Sequence, residues 1–198
     1  FPNTWFAKLA PQGQFTNMQA VTDEVKLMLD PNADPYASPA SDAAPSTFGA
    51  ADVADLNWVQ LMNAYSCTEC GRCTAECPAS QTGKKLSPRK IMMNTRDRLT
   101  EVGTALNKGE QPNANTLLDN YISREELWAC TSCNACVEAC PIAIDPLSII
   151  TDMRRYLVME QSAAPTELNN MMSNVENNGA PWPFNQQDRI AWREEINI

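Results

Sequence analysis

The amino-acid sequence contains no histidine among its 198 residues. Within this chain, that absence excludes Rieske-type ligation, histidine-ligated haem and acid–base catalysis by histidine. Basic residues are also few: 15 Lys and Arg stand against 24 Asp and Glu, giving a net charge of −9. An acidic chain of this kind is not expected to bind nucleic acid.

Two further features are missing from the sequence. It has no apolar run long enough to span a membrane, and it has no visible secretory signal. The chain begins at Phe1 rather than at Met. We therefore interpret it as a piece of something longer, or as the ordered part of it.

What the sequence does contain is one cysteine pattern, present twice, which accounts for all eight cysteines. The first copy, residues 67–78, reads CTECGRCTAECP. The second copy follows 63 residues later, at residues 130–141, and reads CTSCNACVEACP. Each is a C-x2-C-x2-C-x3-C-P run, the spacing that holds [4Fe–4S] clusters in bacterial ferredoxins.

This spacing predicts two [4Fe–4S] clusters with crossed ligation. Three cysteines spaced closely along one tight loop can wrap three corners of a cubane cluster. The fourth cysteine of each run crosses to the other cluster in two-cluster ferredoxins. The predicted ligand sets are Cys67, Cys70, Cys73 and Cys140 for the first cluster, and Cys130, Cys133, Cys136 and Cys77 for the second.

Five other residues of the two runs are predicted to shape the cluster sites. Gly71 and Asn134 follow the second cysteine of each run, and these residue types tolerate a positive φ best. Pro78 and Pro141 follow the last cysteine, where a fixed φ turns the chain sharply. Arg72 lies inside the first loop, where its charge is expected to affect the cluster potential.

Zinc and disulfide bonds are the alternatives to iron–sulfur ligation. Zinc uses C-x2-C pairs but needs neither the third cysteine, the C-x3-C step nor the proline. Disulfide frameworks occur in small secreted domains, which this arrangement does not resemble. Iron–sulfur ligation is therefore favoured, and the cysteine usage indicates a reducing compartment, the cytoplasm.

Capping signals and hydrophobic periodicity predict helices around both cysteine runs and no convincing strand. The predicted helices are 18–29 after Asn17, one from Asp52 to Tyr65, one from Ser87–Pro88 to about 100, 115–121, one from Ser123 to Cys130, one from Asp145–Pro146 to about 160, 166–177 ending at Gly179, and 187–196. Small two-cluster ferredoxins place their motifs closer together. The helical stretch between the motifs indicates an all-α, alpha-helical ferredoxin domain.

Three regions are expected along the chain. Residues 1–50 form an N-terminal docking extension and a Pro-rich linker, and residues 51–160 form the helical ferredoxin domain. Residues 161–198 form a C-terminal helix and an irregular tail that lead to a missing domain.

Some side chains outside the cysteine runs allow two interpretations. A basic stretch could hold an acidic redox partner or raise a cluster potential, but a solvated helix face is favoured; it comprises Lys84, Lys85, Arg89, Lys90, Arg96 and Arg98. Trp58 and Trp128 precede the two loops, and we expect them to be core aromatics that shield the clusters from water.

Several stretches together resemble the membrane-associated (Fe–S)-binding oxidoreductases related to heterodisulfide reductase subunits C and D, a group that includes the electron-transfer-flavoprotein:quinone oxidoreductases. The resemblance covers roughly residues 52–198. It rests on YSCTECGRC at 65–73, CPA at 77–79, TGKKLSPR at 82–89, WACTSC at 128–133, CPI at 140–142, IDP at 144–146, MRRYLVM at 153–159 and NGAPW at 178–182.

The resemblance implies an electron relay between protein partners. Members of the group usually continue into two Cys-Cys-Gly domains, and many begin with a membrane domain that binds b-type haem. These 198 residues contain neither, so the relay is what we expect here, with membrane contact only through a partner or a missing domain. The implied route runs from an electron-transfer flavoprotein or dehydrogenase to a membrane b-type cytochrome and menaquinone, at the inner face of the cell membrane.

Two other function classes remain open from the sequence. The chain could be the iron–sulfur subunit of a soluble heterodisulfide-reductase-like enzyme, or a structural iron–sulfur protein without a redox role. We propose no catalytic residue, because the paired carboxylates lie at helix starts and no thiol is left over.

Overall fold

The computed structural model describes residues 19–31 and 47–196. Its residues fall into two compact units, of which the first ends at Tyr156 and the second begins at Leu157. The predicted all-α class is confirmed, since the described ranges contain no strand and only one isolated bridge, between Leu118 and Ile122. In these ranges, none of the helices is both long and apolar enough to cross a membrane.

In chain order, the described α-helices are α1 (Gln19–Leu29), α2 (Trp58–Ser66), α3 (Arg72–Ala75), α4 (Pro78–Gln81), α5 (Pro88–Asn107), α6 (Arg124–Ala129), α7 (Ala135–Glu138), α8 (Pro146–Arg155), α9 (Thr166–Asn178) and α10 (Ala191–Ile196). Short 3-10 helices span Val53–Asp55 and Gln186–Ile190, and π-type turns span Leu117–Tyr121 and Tyr156–Glu160.

Local capping signals predicted several helix starts correctly. The Ser87 side chain accepts a hydrogen bond from the Lys90 amide at the start of α5. Ser123 caps α6 in the same way, and Asp145 caps α8 by accepting from the Ser148 amide at 3.0 Å. These caps fix the directions in which α5 and α8 leave the two cysteine runs.

The single helix predicted from Asp52 is wrong. Asp52 begins a short 3-10 helix, the chain then becomes extended at Leu56, and Asn57 caps a new helix, α2. Helix α5 also continues to Asn107, seven residues beyond its predicted end. The predicted helix at 115–121 is an irregular turn, in which Asp119 has a φ of +71°.

The core of the first unit lies around α5 and α8, the long helices that follow the two cysteine runs, and these helices pack against each other. Its most deeply buried side chains are aliphatic: Ile91, Met92, Leu117, Ile122, Leu127, Ile149, Ile150 and Met153. Gln60 on α2 donates to the Asp152 carboxylate on α8 at 2.7 Å, which fixes α2 against the same core.

Arg98 on α5 corrects the interpretation of the basic stretch as a solvated helix face. Only 2% of its side chain is exposed. It donates to both carboxylate oxygens of Asp52 and to Glu101 at 3.0 Å. It also donates to the Asn113 side chain and to the Asn115 carbonyl. Arg98 therefore joins the start of the domain to the segment that follows α5.

The second unit contains α9 and the C-terminal tail. Helix α9 ends at Gly179, as predicted, with a left-handed φ of +65°. Trp182, Phe184 and Trp192 of the tail are exposed. The predicted Asn17 cap, the aromatic residues near the N-terminus and most of the Pro-rich linker lie outside the described residues.

Candidate metal centre

The two cysteine runs fold into the same loop, as their shared spacing predicts. In each, the residue after the second cysteine is left-handed, with φ +82° at Gly71 and +63° at Asn134. This confirms the prediction of positive φ at both positions. Each turn starts a short helix, α3 or α7, on which the third cysteine of the run lies.

Helices α3 and α7 pack against each other, which brings the two loops together. A cavity beside the first loop is lined by Cys67, Cys70 and Cys73 and also by Cys140 from the second copy. Cys136 borders the same cavity. Its other lining residues are Thr68, Glu69, Gly71, Arg89, Met92, Pro141, Ile142, Ile144 and Pro146, most of them apolar.

The remaining cysteines lie on the side of the second loop. Cys77 is close enough to Cys130 and Cys136 for their charges to interact, and Cys140 interacts in the same way with Cys73. The fourth cysteine of each run is thus close to cysteines of the other run. The assignment of individual iron ligands stays a prediction.

The environments of the thiols differ within each loop. Cys77 and Cys136 are buried, whereas Cys70 and Cys133 are exposed. Burial raises the pKa of Cys73 and of Cys130, and it raises that of Cys136 to about 12. A buried thiol loses its proton readily only when a cation such as iron stabilises the thiolate.

At Cys133, hydrogen bonding outweighs burial, so the pKa of this thiol is lowered instead of raised. The backbone amide of Ala135, at the start of α7, donates to this thiol and lowers its pKa. The backbone amide of Ser132 likewise points at the Cys130 sulfur, at 3.4 Å. Amides directed at sulfur stabilise thiolates and are one of the ways in which a protein sets a cluster potential.

These residues fit a [4Fe–4S] cluster. All eight cysteines are unbridged thiols, and the first set surrounds a largely apolar cavity. In the part of the chain that the structure describes, no three cysteine or carboxylate side chains converge closely enough to hold one metal ion. A cubane cluster does not need such a group, because each of its four thiolates binds a different iron.

The other predicted site residues lie around the loops. Arg72 is exposed at the first position of α3, Pro78 begins α4, and Pro141 lines the cavity. The expectation that Trp58 shields a cluster is wrong, because 47% of this residue is exposed on α2. Trp128 is only partly exposed, and the Arg154 guanidinium lies 5.0 Å from its ring centroid.

Arg154 was not singled out as a site residue from the sequence. From α8 it donates to the backbone carbonyls of Leu127 and Cys130 and, at 3.3 Å, to the Ser132 hydroxyl. Burial lowers the pKa of its guanidinium. A sequence signal could have revealed it. Arg154 follows the proline that begins α8 by the same number of residues as Arg96 follows the proline that begins α5.

Comparison with known proteins agrees with this geometry. Residues 66–144 match the family model described as a 4Fe-4S dicluster domain. The chain is 33% identical over 186 residues to the probable iron-sulfur-binding oxidoreductase FadF of Bacillus subtilis, an alignment that covers 78% of this chain and 26% of the relative. It is also 33% identical to the EtfAB:quinone oxidoreductase of Syntrophomonas wolfei, covering 77% of this chain and 24% of that protein.

A third relative belongs to the dihydromethanophenazine:CoB–CoM heterodisulfide reductase of Methanosarcina barkeri. This polypeptide is 29% identical, over 71% of this chain and 35% of its own length. The chain thus spans about a quarter to a third of the length of these relatives. Residues 66–144 thus match the 4Fe–4S dicluster domain, and the chain is related in sequence to an EtfAB:quinone oxidoreductase and to a heterodisulfide reductase subunit.

Proposed function

We propose that this chain is an electron relay that carries single electrons through two [4Fe–4S] clusters. The observation that carries the proposal is the grouping of Cys140 with Cys67, Cys70 and Cys73 around one cavity, although the two runs begin 63 residues apart. Such a grouping supports two complete four-cysteine sets, held by neighbouring loops and exchanging their fourth ligands.

When bound, clusters of this type supply one-electron redox chemistry. The chain's own residues hold the thiolates, limit the access of water and leave one edge of each site near the surface. Apolar side chains such as Met92 and Ile144 line the first cavity, whereas Cys70 and Cys133 are exposed. Four thiolates per cluster leave no coordination position for a substrate, so we propose that the chain catalyses no reaction alone.

The names of the relatives suggest the two ends of the route. One acts with EtfAB and quinone, which supports a flavoprotein donor and a quinone acceptor for this chain as well. We propose that electrons pass from a flavoprotein or a Cys-Cys-Gly domain towards membrane haem b and menaquinone. This route requires the chain to lie at the inner face of the cell membrane, and the membrane contact is made by a partner or by another domain.

The exposed cations in and just after the first cysteine run, of which Arg89 lines the first cavity, support an acidic partner for this part of the chain. We use the name basic rim for five exposed cations: Arg72, Lys84, Lys85, Arg89 and Lys90. Within residues 19–31 and 47–196 none of them forms an ion pair with a carboxylate. The equivalent part of the second copy, residues 130–148, has no Lys or Arg at all.

Ionic strength tests the basic rim. Oxidation of the reduced protein by ferricyanide, an anionic probe, should slow as salt is added, because screening weakens attraction by exposed cations. The double variant Lys84→Glu, Lys85→Glu should lose most of this dependence. Lys108→Glu, at the far end of α5, is the matched control and should retain it. Equal behaviour of both variants would remove the basic rim from the proposal.

Electron transfer between partners tests the relay itself. The purified, cluster-loaded chain should be reduced by an electron-transfer flavoprotein and reoxidised by a membrane b-type cytochrome. It should turn over no small substrate when either partner is omitted. If the chain alone reduced a quinone or a disulfide as fast as the whole complex, the proposed relay function would be wrong and the chain would be an enzyme.

The similarity to heterodisulfide reductase subunits favours one other candidate, the iron–sulfur subunit of a soluble heterodisulfide-reductase-like enzyme. Membrane fractionation of the native complex, with haem analysis, separates the two. Recovery with membranes and b-type haem supports the relay to quinone. Recovery in the soluble fraction without haem supports the alternative.

A further inference from the structure

The helices that follow the two cysteine loops carry an arginine at the same position. Arg96 lies eight residues after Pro88, the first residue of α5. Arg154 lies eight residues after Pro146, the first residue of α8. The internal repeat of loop and helix therefore includes these two arginines, although the linkers between loop and helix differ in length.

Both arginines reach back to the same position of their own cysteine loop. Arg96 donates to the Glu69 carboxylate at 2.6 Å, and Arg154 donates to the Ser132 hydroxyl at 3.3 Å. Glu69 and Ser132 each stand two residues after the first cysteine of their run. Their backbones match closely, with φ +58° and +56°. Each loop is thus contacted by an equivalent arginine, and the two contacts differ in the loop residue, which is Glu69 in the first loop and Ser132 in the second.

At the first loop, the contact between Arg96 and Glu69 is an ion pair. The Arg96 and Glu69 side chains are 25% and 38% exposed, and the charge of the arginine is balanced by Glu69 and by the more exposed Asp97, whose carboxylate lies 3.6 Å from it. A cluster held by this loop therefore experiences little net charge from the pair.

At the second loop the charge is not balanced. Among the residues that the structure describes, no carboxylate lies within ion-pair distance of Arg154. Its guanidinium instead donates to the carbonyls of Leu127 and Cys130 and stacks on Trp128. The cation is thus fixed against the residue that is the predicted first ligand of the second cluster.

A cluster with four thiolate ligands is negatively charged, and each added electron makes it more so. A fixed cation nearby stabilises the reduced form and raises the reduction potential, and low exposure to water strengthens the effect. We propose that Arg154 is a positioning residue of the second loop whose unbalanced charge raises the potential of that loop's cluster, whereas Glu69 cancels the equivalent contribution of Arg96 at the first. This inference rests on the proposed two-cluster relay.

Exchanging the two loop residues tests the proposal. Ser132→Glu gives Arg154 the counter-charge that Arg96 has, and Glu69→Ser removes that counter-charge from the first loop. Each loop tolerates the new residue, because its counterpart already has the same left-handed φ. Redox titration of the cluster-loaded chain, monitored by electron paramagnetic resonance, is the readout.

Ser132→Glu should lower one of the two reduction midpoints, and Glu69→Ser should raise the other. The expected size is about a tenfold change in the ratio of reduced to oxidised cluster at a fixed potential, which is 59 mV for one electron. Arg154→Gln should shift the same midpoint as Ser132→Glu, and Arg154→Lys should keep that midpoint high by retaining the charge.

Iron and sulfide contents, measured on every variant, separate this inference from the relay. Two intact clusters with unmoved midpoints, or both exchanges moving the same midpoint, would overturn the inference and leave the relay standing. A purely structural role would make Arg154→Lys as damaging as Arg154→Gln, with loss of iron instead of ordered shifts. Fewer than two clusters in the unsubstituted chain would overturn the relay itself.

Discussion

Replacement of the buried Arg98 by methionine should destabilise the first unit strongly. Methionine fills a similar length of space but leaves the Asp52 carboxylate, which is 21% exposed, without its cation. Asp52 keeps its bond from the Leu117 amide, at 3.0 Å, but loses the charge that balances it. Removing one partner of a buried ion pair typically costs about 3–5 kcal/mol of the free energy of unfolding.

The assay is urea-induced unfolding of the cluster-loaded chain without oxygen, followed by tryptophan fluorescence and by the visible absorbance of the clusters. With a dependence of about 2 kcal/mol per molar urea, Arg98→Met should lower the unfolding midpoint by roughly 2 M. Arg98→Lys should recover only part of the loss, because an ammonium cannot reproduce the fork that bridges Asp52, Glu101 and Asn113.

Arg96→Met is the matched control, on the same helix and two residues away. Its pair with Glu69 is partly exposed, so its loss should cost no more than about 1 kcal/mol. If Arg98→Met and Arg96→Met lowered the midpoint equally, the argument from burial of Arg98 would be wrong.

Three further predictions concern the framework around the clusters. A Cβ added at Gly49 would clash with the Asp152 carbonyl oxygen, so Gly49→Ala should lower the unfolding midpoint far more than Gly109→Ala, where φ is also positive but the space is open; equal losses would contradict this expectation. Asp145→Ala should cost about 1 kcal/mol in the same urea assay by removing the cap of α8, and an unchanged midpoint would show that the cap contributes nothing. Deleting residues 1–46 should leave the iron content and both cluster signals intact while weakening association with a partner, and loss of either cluster would contradict this.

Features set by short stretches of sequence could be predicted. The positive φ at Gly71 and Asn134 follows from the tight turn after the second cysteine and from two residue types that accept it. The caps at Ser87, Ser123 and Asp145 depend on residues within one helical turn, so neighbouring sequence is enough to find them.

Features set by distant contacts could not be predicted in the same way. The sequence of α5 alone does not distinguish Arg98, which is buried against Asp52 and residues 113–115, from the exposed Arg89. The exposure of Trp58 has the same origin, because which face of α2 is covered depends on the elements that pack against it. The helix break before α2 was missed because the apolar spacing continues across Leu56.

One part of the candidate site could be predicted from the sequence, and another part could not. The two cysteine runs could be found at once, because all eight cysteines occur in them. The equivalence of Arg96 and Arg154 was hidden, since the stretch between the last cysteine and the next helix is longer in the first copy than in the second. Aligning the copies on the helix-initial prolines instead of on the cysteines brings the two arginines together.

The most direct test of the two-cluster relay is an anomalous difference map, recorded at the iron edge, from crystals of the cluster-loaded chain grown without oxygen. We expect two separate four-iron clusters, one bonded to Cys67, Cys70, Cys73 and Cys140 and the other to Cys130, Cys133, Cys136 and Cys77. A single cluster, zinc in place of iron, or Cys77 bonded to the same cluster as Cys67 would contradict this expectation.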